Sequence, residues 1–442
     1  MKGITIVGLG PGDPRLLTLE AWEVLATAGE VWLRTQRHPT VAGLPPDLTL
    51  HAFDSLYERA EDFSQVYDVI VSEILRLGRR PEGVVYAVPG HPFVGESTVE
   101  QIARRADEIG VAVRIVEGLS FVEPVLTALR IDALAGLQVC DAIELAARYH
   151  PPLNPDCPAL IGQLYSQTIA ADVKLTLMNQ YPDDHGVTLV HAAGTSARRV
   201  VHLPLYELDR RDDIAHLTAL YVPPIPGVAS FESLQDTVAH LRAPDGCPWD
   251  REQTHESLRR GLLEEAYEVV TAIDAGDLRA LQEELGDLLL QILIQTQIAA
   301  EEGEFKMPAV IGTIDAKLKH RHPHVWGDRR VKGTEDVLHR WEELKREEKG
   351  GESSVLEGVP PALPALQQAD TYNRRAARVG FDWNEAGGVA DKIREEIAEV
   401  EAASTLEERE SELGDLLHAV VNLSLIHISE PTRPLYISYA VF

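Results

Sequence analysis

The sequence of 442 residues predicts an α/β domain followed by all-α helical domains. Short apolar runs alternate with helical patterns as far as about residue 222, and this alternation is typical of an α/β domain. A proline-rich segment at residues 221–227 then stops the pattern. Beyond it the chain changes to long amphipathic helices with few strand signals, and a spaced set of carboxylates occurs there twice.

The elements of the first part follow one another along the chain. Apolar runs predict strands at residues 4–7, 84–88, 113–116, 175–177 and 188–191, and helical periodicity predicts helices at 16–28, 63–77 and 98–109. We place a linker at 223–230 and a second one at 347–364, where glycine, serine and proline separate the two sets of carboxylates. The second half is therefore predicted to be a tandem all-α unit.

The composition excludes several classes of function. The net charge is −29 at pH 7, so a nucleic-acid polymer is excluded as a standing partner, because it requires a basic surface. Small phosphorylated ligands are compatible with this charge, since Mg²⁺ can neutralise their phosphates. No apolar run approaches the roughly 18 residues of a membrane span, and no signal-peptide pattern is present. The three cysteines, Cys140, Cys157 and Cys247, are scattered and odd in number, which favours a reducing cytoplasm.

The most informative motif is the repeated set of carboxylates. In the first copy, Glu-Glu-x-x-Glu ends at Glu268 and is followed by Glu-x-x-Asp at 284–287. In the second copy it ends at Glu399 and is followed by Glu-x-x-Asp at 412–415. Positions three apart share a helix face, so two packed helices would bring four acids around one point. Four hard oxygen donors suit Mg²⁺ or Mn²⁺, which would offset their mutual repulsion.

An acidic run on a helix is more commonly a solvated face, and that alternative applies to Glu-Glu-x-x-Glu alone. The neighbouring residues argue against it. Asp287 lies within an apolar stripe that we expect to be buried, formed by Leu285, Leu288, Leu289, Ile292 and Leu293. Acids beside a buried stripe are costly unless they are paired or bind a metal. Together with the tandem recurrence, this favours a metal site.

A basic segment follows the first copy. Lys317 and Arg321 are four residues apart and share a helix face, which suits two contacts to phosphate oxygens. His322 and His324 flank Pro323, where the helix should end. Zinc is a weaker alternative for this histidine-rich segment, because no thiolate or second histidine pair has the spacing for tetrahedral coordination.

The motifs of the second part together resemble those of the MazG nucleoside triphosphate pyrophosphohydrolases. They are Gly-Cys-Pro-Trp-Asp at 246–250, Glu-Glu-x-x-Glu, Glu-Leu-Gly-Asp-Leu-Leu and Arg-His-Pro-His-Val at 321–325, and the resemblance runs from about residue 231 to 422. It implies helices that pair across a homodimer into a four-helix-type bundle. It also implies Mg²⁺ held by carboxylates and attack of water on the α-phosphorus of a nucleoside triphosphate, which releases a monophosphate and pyrophosphate. The second copy adds a signature of its own, Val-Gly-Phe-Asp-Trp at 379–383.

Roles can be assigned to the residues on this basis. The Mg²⁺ ligands are Glu265, Glu268, Glu284 and Asp287 in the first copy and Glu396, Glu399, Glu412 and Asp415 in the second. Glu264 is a candidate water-orienting base, or an acceptor behind the ligands. Lys317 and Arg321 would bind the β- and γ-phosphates. Trp249 and Trp383 are candidates to stack on a base, with a packing role as the alternative.

The first part has a glycine-rich turn after its first strand, at residues 8–12. It fails the dinucleotide-binding fingerprint Gly-x-Gly-x-x-Gly, because Asp13 stands where the third glycine should be, and it lacks the Lys-Ser/Thr end of a P-loop. Together with the segments at 88–92, 117–121 and 177–180, it resembles the tetrapyrrole (corrin/porphyrin) methylases over roughly residues 1–222. Tight turns alone are the alternative role for these glycines.

The resemblance to the methylases implies two α/β lobes with S-adenosylmethionine in the cleft between them. The positions that match the cofactor pocket are Gly90, Pro92, Ser120, Met178, Gly194 and Thr195. His91 stands where many members of that family have Asp, and this departure puts methyl transfer in question.

The last nineteen residues, 424–442, bring two prolines and no helical period, and they resemble the conceptual translation of a sequencing-library adapter that breaks the preceding helix. A short native tail is the alternative. The predicted order is therefore a methylase-like domain (1–222), a linker (223–230), MazG copy one (231–346), a linker (347–364), a truncated MazG copy two (365–423) and this tail. Copy two thus lacks a basic helix of its own, so only copy one has the complete set.

As a whole, the sequence predicts a cytoplasmic, Mg²⁺-dependent nucleoside triphosphate pyrophosphohydrolase that forms a homodimer. Two alternatives stay open. One is an S-adenosylmethionine-dependent methyltransferase whose MazG part is accessory, and the other is a non-enzymatic module that dimerises or senses nucleotides.

Overall fold

The computed structural model describes residues 3–57, 63–334, 336–337, 340–341, 344, 356–378, 380–383 and 386–428. The chain divides into two compact units, Met1–Glu304 and Phe305–Phe442. Within the described residues, no helix has the length and apolar character that a membrane crossing requires.

The first sheet is parallel throughout and has the strand order β3-β2-β4-β1-β5. Its strands are β1 (Ile4–Gly8), β2 (Glu30–Leu33), β3 (Thr49–Ala52), β4 (Val84–Val88) and β5 (Val113–Val116). Ile4 lies beside both Val84 and Val113, so β1 is central, and most of its side chains are buried. Burial on both faces of a parallel sheet explains the continuous apolar run that opens the chain.

Four helices accompany this sheet, namely α1 (Leu19–Thr27), α2 (Asp54–Tyr57), α3 (Phe63–Gly78) and α4 (Ser97–Glu108). The first of them starts later than residue 16, where we predicted it. Thr18 caps α1, because its side chain accepts a hydrogen bond from the amide of Ala21. The residues just before it form a separate 3₁₀ turn, Pro14–Leu16, which Asp13 caps.

The second sheet is mixed and has the strand order β6-β7-β10-β8-β9. Its strands are β6 (Gln138–Asp141), β7 (Ala159–Gly162), β8 (Gly186–His191), β9 (Arg199–Pro204) and β10 (Thr218–Val222). The helices of this part are α5 (Val122–Leu129), α6 (Ala142–Ala146) and α7 (Gln167–Leu177). Each sheet has its own buried core, which confirms a two-lobed α/β arrangement.

The predicted strand at 175–177 is wrong. These residues form the last turn of α7, which Ser166 caps by accepting a hydrogen bond from the amide of Ile169. Val173 and Leu177 are buried whereas Leu175 is 59% exposed, which is the spacing of a helix face. A segment as short as Leu-Thr-Leu is too short to distinguish a strand from the end of a helix.

The rest of the described chain is mainly helical, as predicted. The first unit ends with α8 (Phe231–Arg242), α9 (Pro248–Glu252), α10 (Arg259–Ala275) and α11 (Leu278–Glu301). The second unit contains, among the described residues, α12 (Met307–Arg321), α13 (Pro323–Trp326), α14 (Ala365–Arg378), α15 (Ala386–Ala402) and α16 (Leu406–Ile428).

The helix that carries the second Glu-x-x-Asp motif does not break at Ser424, contrary to our expectation. α16 continues to Ile428, because the first five residues of the tail contain no proline and the first proline comes at Pro431. Residues 429–442 lie outside the described residues, as does Val379 of the second-copy signature. The origin of the tail stays a prediction.

Candidate functional site

The first set of carboxylates lies on a hairpin of two helices. α10 ends at Gly276, whose φ of 65° is in the left-handed region that glycine adopts without strain. Asp277 then caps α11, and its side chain accepts hydrogen bonds from the amides of Arg279 and Ala280. This Gly-Asp turn reverses the chain and packs the acid-bearing helices against each other.

Three of the four predicted ligands of copy one meet in this hairpin. A carboxylate oxygen from each of Glu265, Glu268 and Glu284 lies within 4.8 Å of the other two. Asp287, one turn further along α11, is close enough to raise the pKa of Glu265 and Glu284 but lies outside this group of three. We refer to the group as the first cluster.

The acids of the first cluster repel one another. The pKa of Glu265 is raised, first by loss of solvation and then by the charges of Glu268 and Asp287. Loss of solvation and the charge of Glu268 also raise the pKa of Glu284. Both shifts mean that the ionised carboxylate is disfavoured here, a situation that a bound cation would reverse. Three carboxylate oxygens so close together fit a hard divalent cation such as Mg²⁺ or Mn²⁺.

Glu264, the predicted base, does not join the first cluster. It is exposed and accepts a hydrogen bond from Arg260, one turn earlier on α10, with Nε and Oε1 2.8 Å apart. An ion pair at the surface is therefore what the structure shows for this residue.

The apolar stripe beside Asp287 is only partly buried, so our expectation is wrong for part of it. Leu293 is 3% exposed, but Leu285 and Ile292 are 50% and 42% exposed. The buried residues of α11 begin at Leu293, towards the end of the helix where Arg242 of α8 contacts Glu301. The acid-bearing part of the hairpin thus keeps an exposed apolar face within the single chain.

The second set of carboxylates repeats the arrangement on α15 and α16, and we call it the second cluster. Oxygens of Glu396, Glu399 and Glu412 lie within 4.8 Å of one another. Glu396 is 4% exposed, and its Oε2 atom has no hydrogen-bond partner among the residues that the structure describes. Loss of solvation, followed by the charge of Glu396, raises the pKa of Glu399. Asp415 is exposed and lies outside this group, as Asp287 does in the first copy.

The two clusters differ at one sequence position next to their ligands. The Nζ atom of Lys392 lies 2.8 Å from Oε1 of Glu396 and 3.1 Å from Oε1 of Glu395. Four residues before the corresponding ligand of the first copy, Glu265, the chain has Gly261. A lysine ammonium thus lies at the edge of the second cluster, at a position where the first copy has no side chain.

The predicted phosphate-binding residues lie on α12. Lys317 is exposed, and the guanidinium of Arg321 lies over the ring of Trp341, 5.5 Å from its centroid. The helix ends before Pro323, as predicted. Nδ1 of His322 lies 2.7 Å from the carbonyl oxygen of Leu318, within the same segment.

The two predicted base-stacking residues differ in their surroundings. Trp249 lies in α9 and is 66% exposed. Trp383 lies against α15, since a Cβ added at Gly388 would be 2.9 Å from its Cε3 atom. Trp383 thus contacts α15 and is 43% exposed, and Trp249 lies at the surface.

Three loops of the α/β part meet at the carboxyl ends of β1, β4 and β5. Gly10 and Gly90 form an isolated bridge, in which the Gly90 amide donates to the Gly10 carbonyl at 2.9 Å. A Cβ at Gly8 would lie 2.6 Å from the Gly90 oxygen and 2.7 Å from the Gly118 nitrogen. A Cβ at Gly118 would lie 2.5 Å from the same Gly90 oxygen. Close backbone approach, in addition to turn formation, therefore requires glycine at these positions.

A cavity of about 750 Å³ lies next to these loops, and its size is within the range of small-molecule sites. Residues from both lobes line it, among them Gly90 and Glu96 from the first lobe and Gly162 and Thr218 from the second. The cavity therefore lies in the cleft between the two α/β lobes.

Of the six predicted cofactor residues, Gly90 lines this cavity. Gly194 contacts the opening loop, where its carbonyl accepts a hydrogen bond from the Asp13 amide at 2.9 Å. Thr195 donates to the carbonyl of Ala192 at 2.8 Å. Thr195 also lies beside the glycine-rich turn, since a Cβ at Gly12 would be 2.7 Å from its Cγ2 atom. Neither Gly194 nor Thr195 is among the described residues that line the cavity.

The other three predicted residues have structural contacts of their own. The Ser120 hydroxyl donates to Glu123 at 2.7 Å and accepts from the Val122 amide, at the start of α5. Met178 follows α7 and packs against the core of the second lobe. Pro92 is buried. None of the three is among the described residues that line the cavity.

The charged residues that line the cavity were not predicted from the sequence. Nε of Arg34 lies 3.0 Å from Oε1 of Glu96, and the guanidinium lies 4.8 Å from the ring centroids of both Tyr57 and Tyr67. Pairing of β2 with β4 brings these distant segments together. Position in the sheet, rather than a local motif, creates this site.

His38 also lines the cavity and is 6% exposed. Burial, and then the nearby His216, lowers the pKa of His38 to about 4. The imidazole is therefore neutral near pH 7 and adds no positive charge to the cleft.

Family models match two parts of the chain. The model described as Tetrapyrrole (Corrin/Porphyrin) Methylases matches residues 3–209. The model described as MazG nucleotide pyrophosphohydrolase domain matches residues 253–326, which include the first cluster and the basic segment.

Whole proteins with similar sequences agree with these matches. The uncharacterized protein YabN of Bacillus subtilis (strain 168) is 41% identical over 377 residues, which cover 83% of this chain and 75% of YabN. The nucleoside triphosphate pyrophosphohydrolase/pyrophosphatase MazG of Thermotoga maritima is 46% identical over 195 residues, or 44% of this chain and 75% of that protein. The nucleoside triphosphate pyrophosphohydrolase of Escherichia coli (strain K12) is 44% identical over 202 residues, or 44% and 77%.

Among solved structures, the uroporphyrin-III-C-methyltransferase from Thermus thermophilus aligns with 50% of this chain and 93% of its own, at 19% identity and a TM-score of 0.39. The extent of the similarity to YabN, together with the two family models, decides the assignment. This chain therefore belongs to the YabN family, and it carries a tetrapyrrole methylase domain followed by a MazG domain.

Proposed function

We propose that the helical part of this chain is a Mg²⁺- or Mn²⁺-dependent nucleoside triphosphate pyrophosphohydrolase, which converts a nucleoside triphosphate and water into a monophosphate and pyrophosphate. The observation that carries the proposal is the first cluster, in which three carboxylates approach one another closely enough to raise the pKa of two of them. The similarity to enzymes named for this reaction in T. maritima and E. coli supports the same class of substrate.

Glu265, Glu268 and Glu284 are the residues that would hold the cation, and Asp287 lies one turn away to support them. A divalent cation bound there would offset phosphate charge and make a coordinated water more acidic. Hydrolysis of a phosphoanhydride depends on positioning and charge neutralisation more than on covalent participation of the protein. The carboxylates meet this requirement without a nucleophilic side chain.

The basic residues keep their proposed role as phosphate contacts. Lys317 and Arg321 present an ammonium and a guanidinium four residues apart on α12, a spacing that suits neighbouring phosphate oxygens. Trp249 is the better candidate for stacking on a base, because it is 66% exposed whereas Trp383 is 43% exposed. We retain Glu264 as an acceptor behind the ligands only, since it pairs with Arg260.

We also propose that the protein acts as a homodimer in the cytoplasm. The exposed apolar face of the hairpin supports dimerisation, because a second copy would cover Tyr267, Ile273, Leu285 and Ile292. Three free cysteines are compatible with a reducing compartment. Analytical ultracentrifugation should show a dimer that Ile273→Asp with Ile292→Asp converts to monomer, and a monomeric parent protein would refute dimerisation.

Release of pyrophosphate from a panel of nucleoside triphosphates tests the reaction. We expect release with Mg²⁺ or Mn²⁺, lost in Glu268→Ala and strongly reduced in Asp287→Ala. Asp274→Ala is a matched control, since Asp274 is an exposed acid on the same helix as Glu268. An inactive parent protein, or a Glu268→Ala variant as active as the control, would refute the proposal.

A second function is supported by a different observation, the cavity in the interlobe cleft. We propose that it binds S-adenosylmethionine against the Gly90 loop, and that methyl transfer to an acceptor follows. Under this alternative the MazG part is accessory and senses nucleotides or dimerises. His91, whose Nδ1 atom accepts from the Phe93 amide at 3.1 Å, still departs from the family pattern, so cofactor binding is tested before transfer.

Isothermal titration calorimetry with S-adenosylmethionine tests this binding. We expect heat with the parent protein, a weaker affinity in Gly90→Ala and no binding in Gly90→Trp. Gly29→Trp is the control, because Gly29 is exposed and a Cβ there meets no atom within 4 Å. Thermal melting of each variant separates misfolding from loss of the site. The absence of heat with a folded parent protein would refute cofactor binding.

A further inference from the structure

Lys392 has a position that the proposed reaction does not explain. Its ammonium lies 2.8 Å from Glu396 and 3.1 Å from Glu395, and the Lys392 side chain is 37% exposed whereas that of Glu396 is 5% exposed. The positive charge therefore sits at the edge of the second cluster and holds its most deeply buried acid.

We propose that Lys392 is a resident counter-ion of the second cluster, which a divalent cation must displace in order to bind there. The two clusters then bind divalent cations with different affinities, the first more tightly. This inference rests on the proposed function, because it assumes that both clusters are cation sites.

The second carboxylate oxygen of Glu396 supports a cation site. The Oε1 atom of Glu396 contacts Lys392, but its Oε2 atom is buried and has no hydrogen-bond partner in the described part of the chain. A buried carboxylate oxygen without a partner is costly, and a cation among Glu396, Glu399 and Glu412 would satisfy it.

The ammonium and such a cation would repel each other at this distance. Lysine has a flexible four-carbon stem, so its ammonium can leave the carboxylate for solvent or for a phosphate oxygen of a bound nucleotide. Binding of the cation in the second cluster is therefore coupled to release of Lys392.

The first cluster lacks this competitor. Gly261 occupies the position of Lys392, and a Cβ there would lie 3.2 Å from Nε2 of Gln291, the end of a flexible side chain. The adjacent Arg260 pairs with Glu264 and not with the cluster. A lysine at 261 can thus be introduced to reproduce the second cluster in the first.

Binding of Mn²⁺, followed by the electron paramagnetic resonance signal of the free ion, tests the proposal in the full chain. Glu268→Ala removes the first cluster and leaves the second for measurement. In that background we expect Lys392→Met to tighten Mn²⁺ binding by about three- to tenfold, because a competing, partly screened charge is removed. Arg394→Met is the control, since it removes an equal charge from α15 but Arg394 pairs with Asp391.

The reciprocal pair uses Glu399→Ala to leave only the first cluster. There we expect Gly261→Lys to weaken Mn²⁺ binding by a similar factor. Because this pair does not use Glu268→Ala, the inference can be tested even if that variant fails to fold. A Lys392→Met effect no larger than that of Arg394→Met would overturn the inference, as would a Gly261→Lys variant with parental affinity. A parent chain that binds no Mn²⁺ would instead overturn the proposed metal sites themselves, and the inference with them.

Discussion

Arg242 holds Glu301 in a two-point contact, with Nη2 and Oε2 2.8 Å apart and Nε and Oε1 3.1 Å apart. The Arg242 side chain is 6% exposed, and it also donates to the backbone carbonyls of Asp250 and Gln253. One side chain therefore joins α8, the Gly-Cys-Pro-Trp-Asp segment and the end of the helix that carries Glu284.

Replacing Arg242 should destabilise this region. Removing one partner of a buried ion pair costs about 3–5 kcal/mol, but Glu301 is 37% exposed, so we expect Arg242→Met to lower the free energy of unfolding by about 2 kcal/mol. Urea unfolding measures the change, with Arg279→Met as the control at an exposed position of α11. Equal midpoints for the two variants would contradict a stabilising role for the contact.

The first cluster should make stability depend on pH in a defined direction. Glu265 has a folded pKa above its ordinary value of 4.5, so the folded protein binds this proton more tightly than the unfolded chain does. The free energy of unfolding therefore falls as pH rises above about 4.5. Without divalent cations, Glu265→Gln should be more stable than the parent at pH 7 and equal to it at pH 4.

Added Mg²⁺ should reverse this difference at pH 7, because a cation that binds the folded state stabilises the parent but not a variant that lacks a ligand. Thermal melting at the two pH values, with and without Mg²⁺, provides the measurement. A gap between parent and Glu265→Gln that is the same at pH 4 and pH 7 would show that repulsion in the cluster is not its cause.

The start of α8 should depend on Ser230. Its hydroxyl accepts from the Ser233 amide at 3.1 Å and donates to Asp156 at 2.6 Å. Loss of this cap in Ser230→Ala should lower the free energy of unfolding by about 1 kcal/mol. Urea unfolding should show no such loss for Ser196→Ala, an exposed serine; a Ser230→Ala midpoint equal to that of Ser196→Ala would exclude a significant cap.

The close packing of the loops that follow β1, β4 and β5 should not tolerate a side chain at Gly8. A Cβ there would lie 2.6 Å from the Gly90 oxygen, so the backbone must shift, at a cost of about 1–3 kcal/mol. We expect Gly8→Ala to lower the melting temperature and to weaken S-adenosylmethionine binding. Gly186→Ala is the control, since a Cβ at Gly186 meets no atom within 4 Å. An unchanged melting temperature in Gly8→Ala would show that the loops can separate without cost.

Local patterns were sufficient for much of the fold. The apolar run at 84–88 corresponds to β4, because a strand buried on both faces has a continuous apolar sequence. The prediction at 113–116 corresponds to β5, an edge strand in which Arg114 is exposed. Residues 175–177 were misassigned because the short segment Leu-Thr-Leu fits a strand and the last turn of α7 equally well. The residues of the interlobe cleft, such as Arg34 and Glu96, required knowledge of which strands are neighbours.

The sequence alone determined the fold class, the two family resemblances and the pairs of acids that share a helix face, because helical periodicity and motif order are local properties of the chain. Only the tertiary structure decided which acids approach one another. Packing of α10 on α11 and of α15 on α16 brings three glutamates together in each copy and leaves Asp287 and Asp415 outside. The tertiary structure also showed that Lys392 contacts Glu396, since a side-chain contact depends on rotamer and burial as well as on spacing.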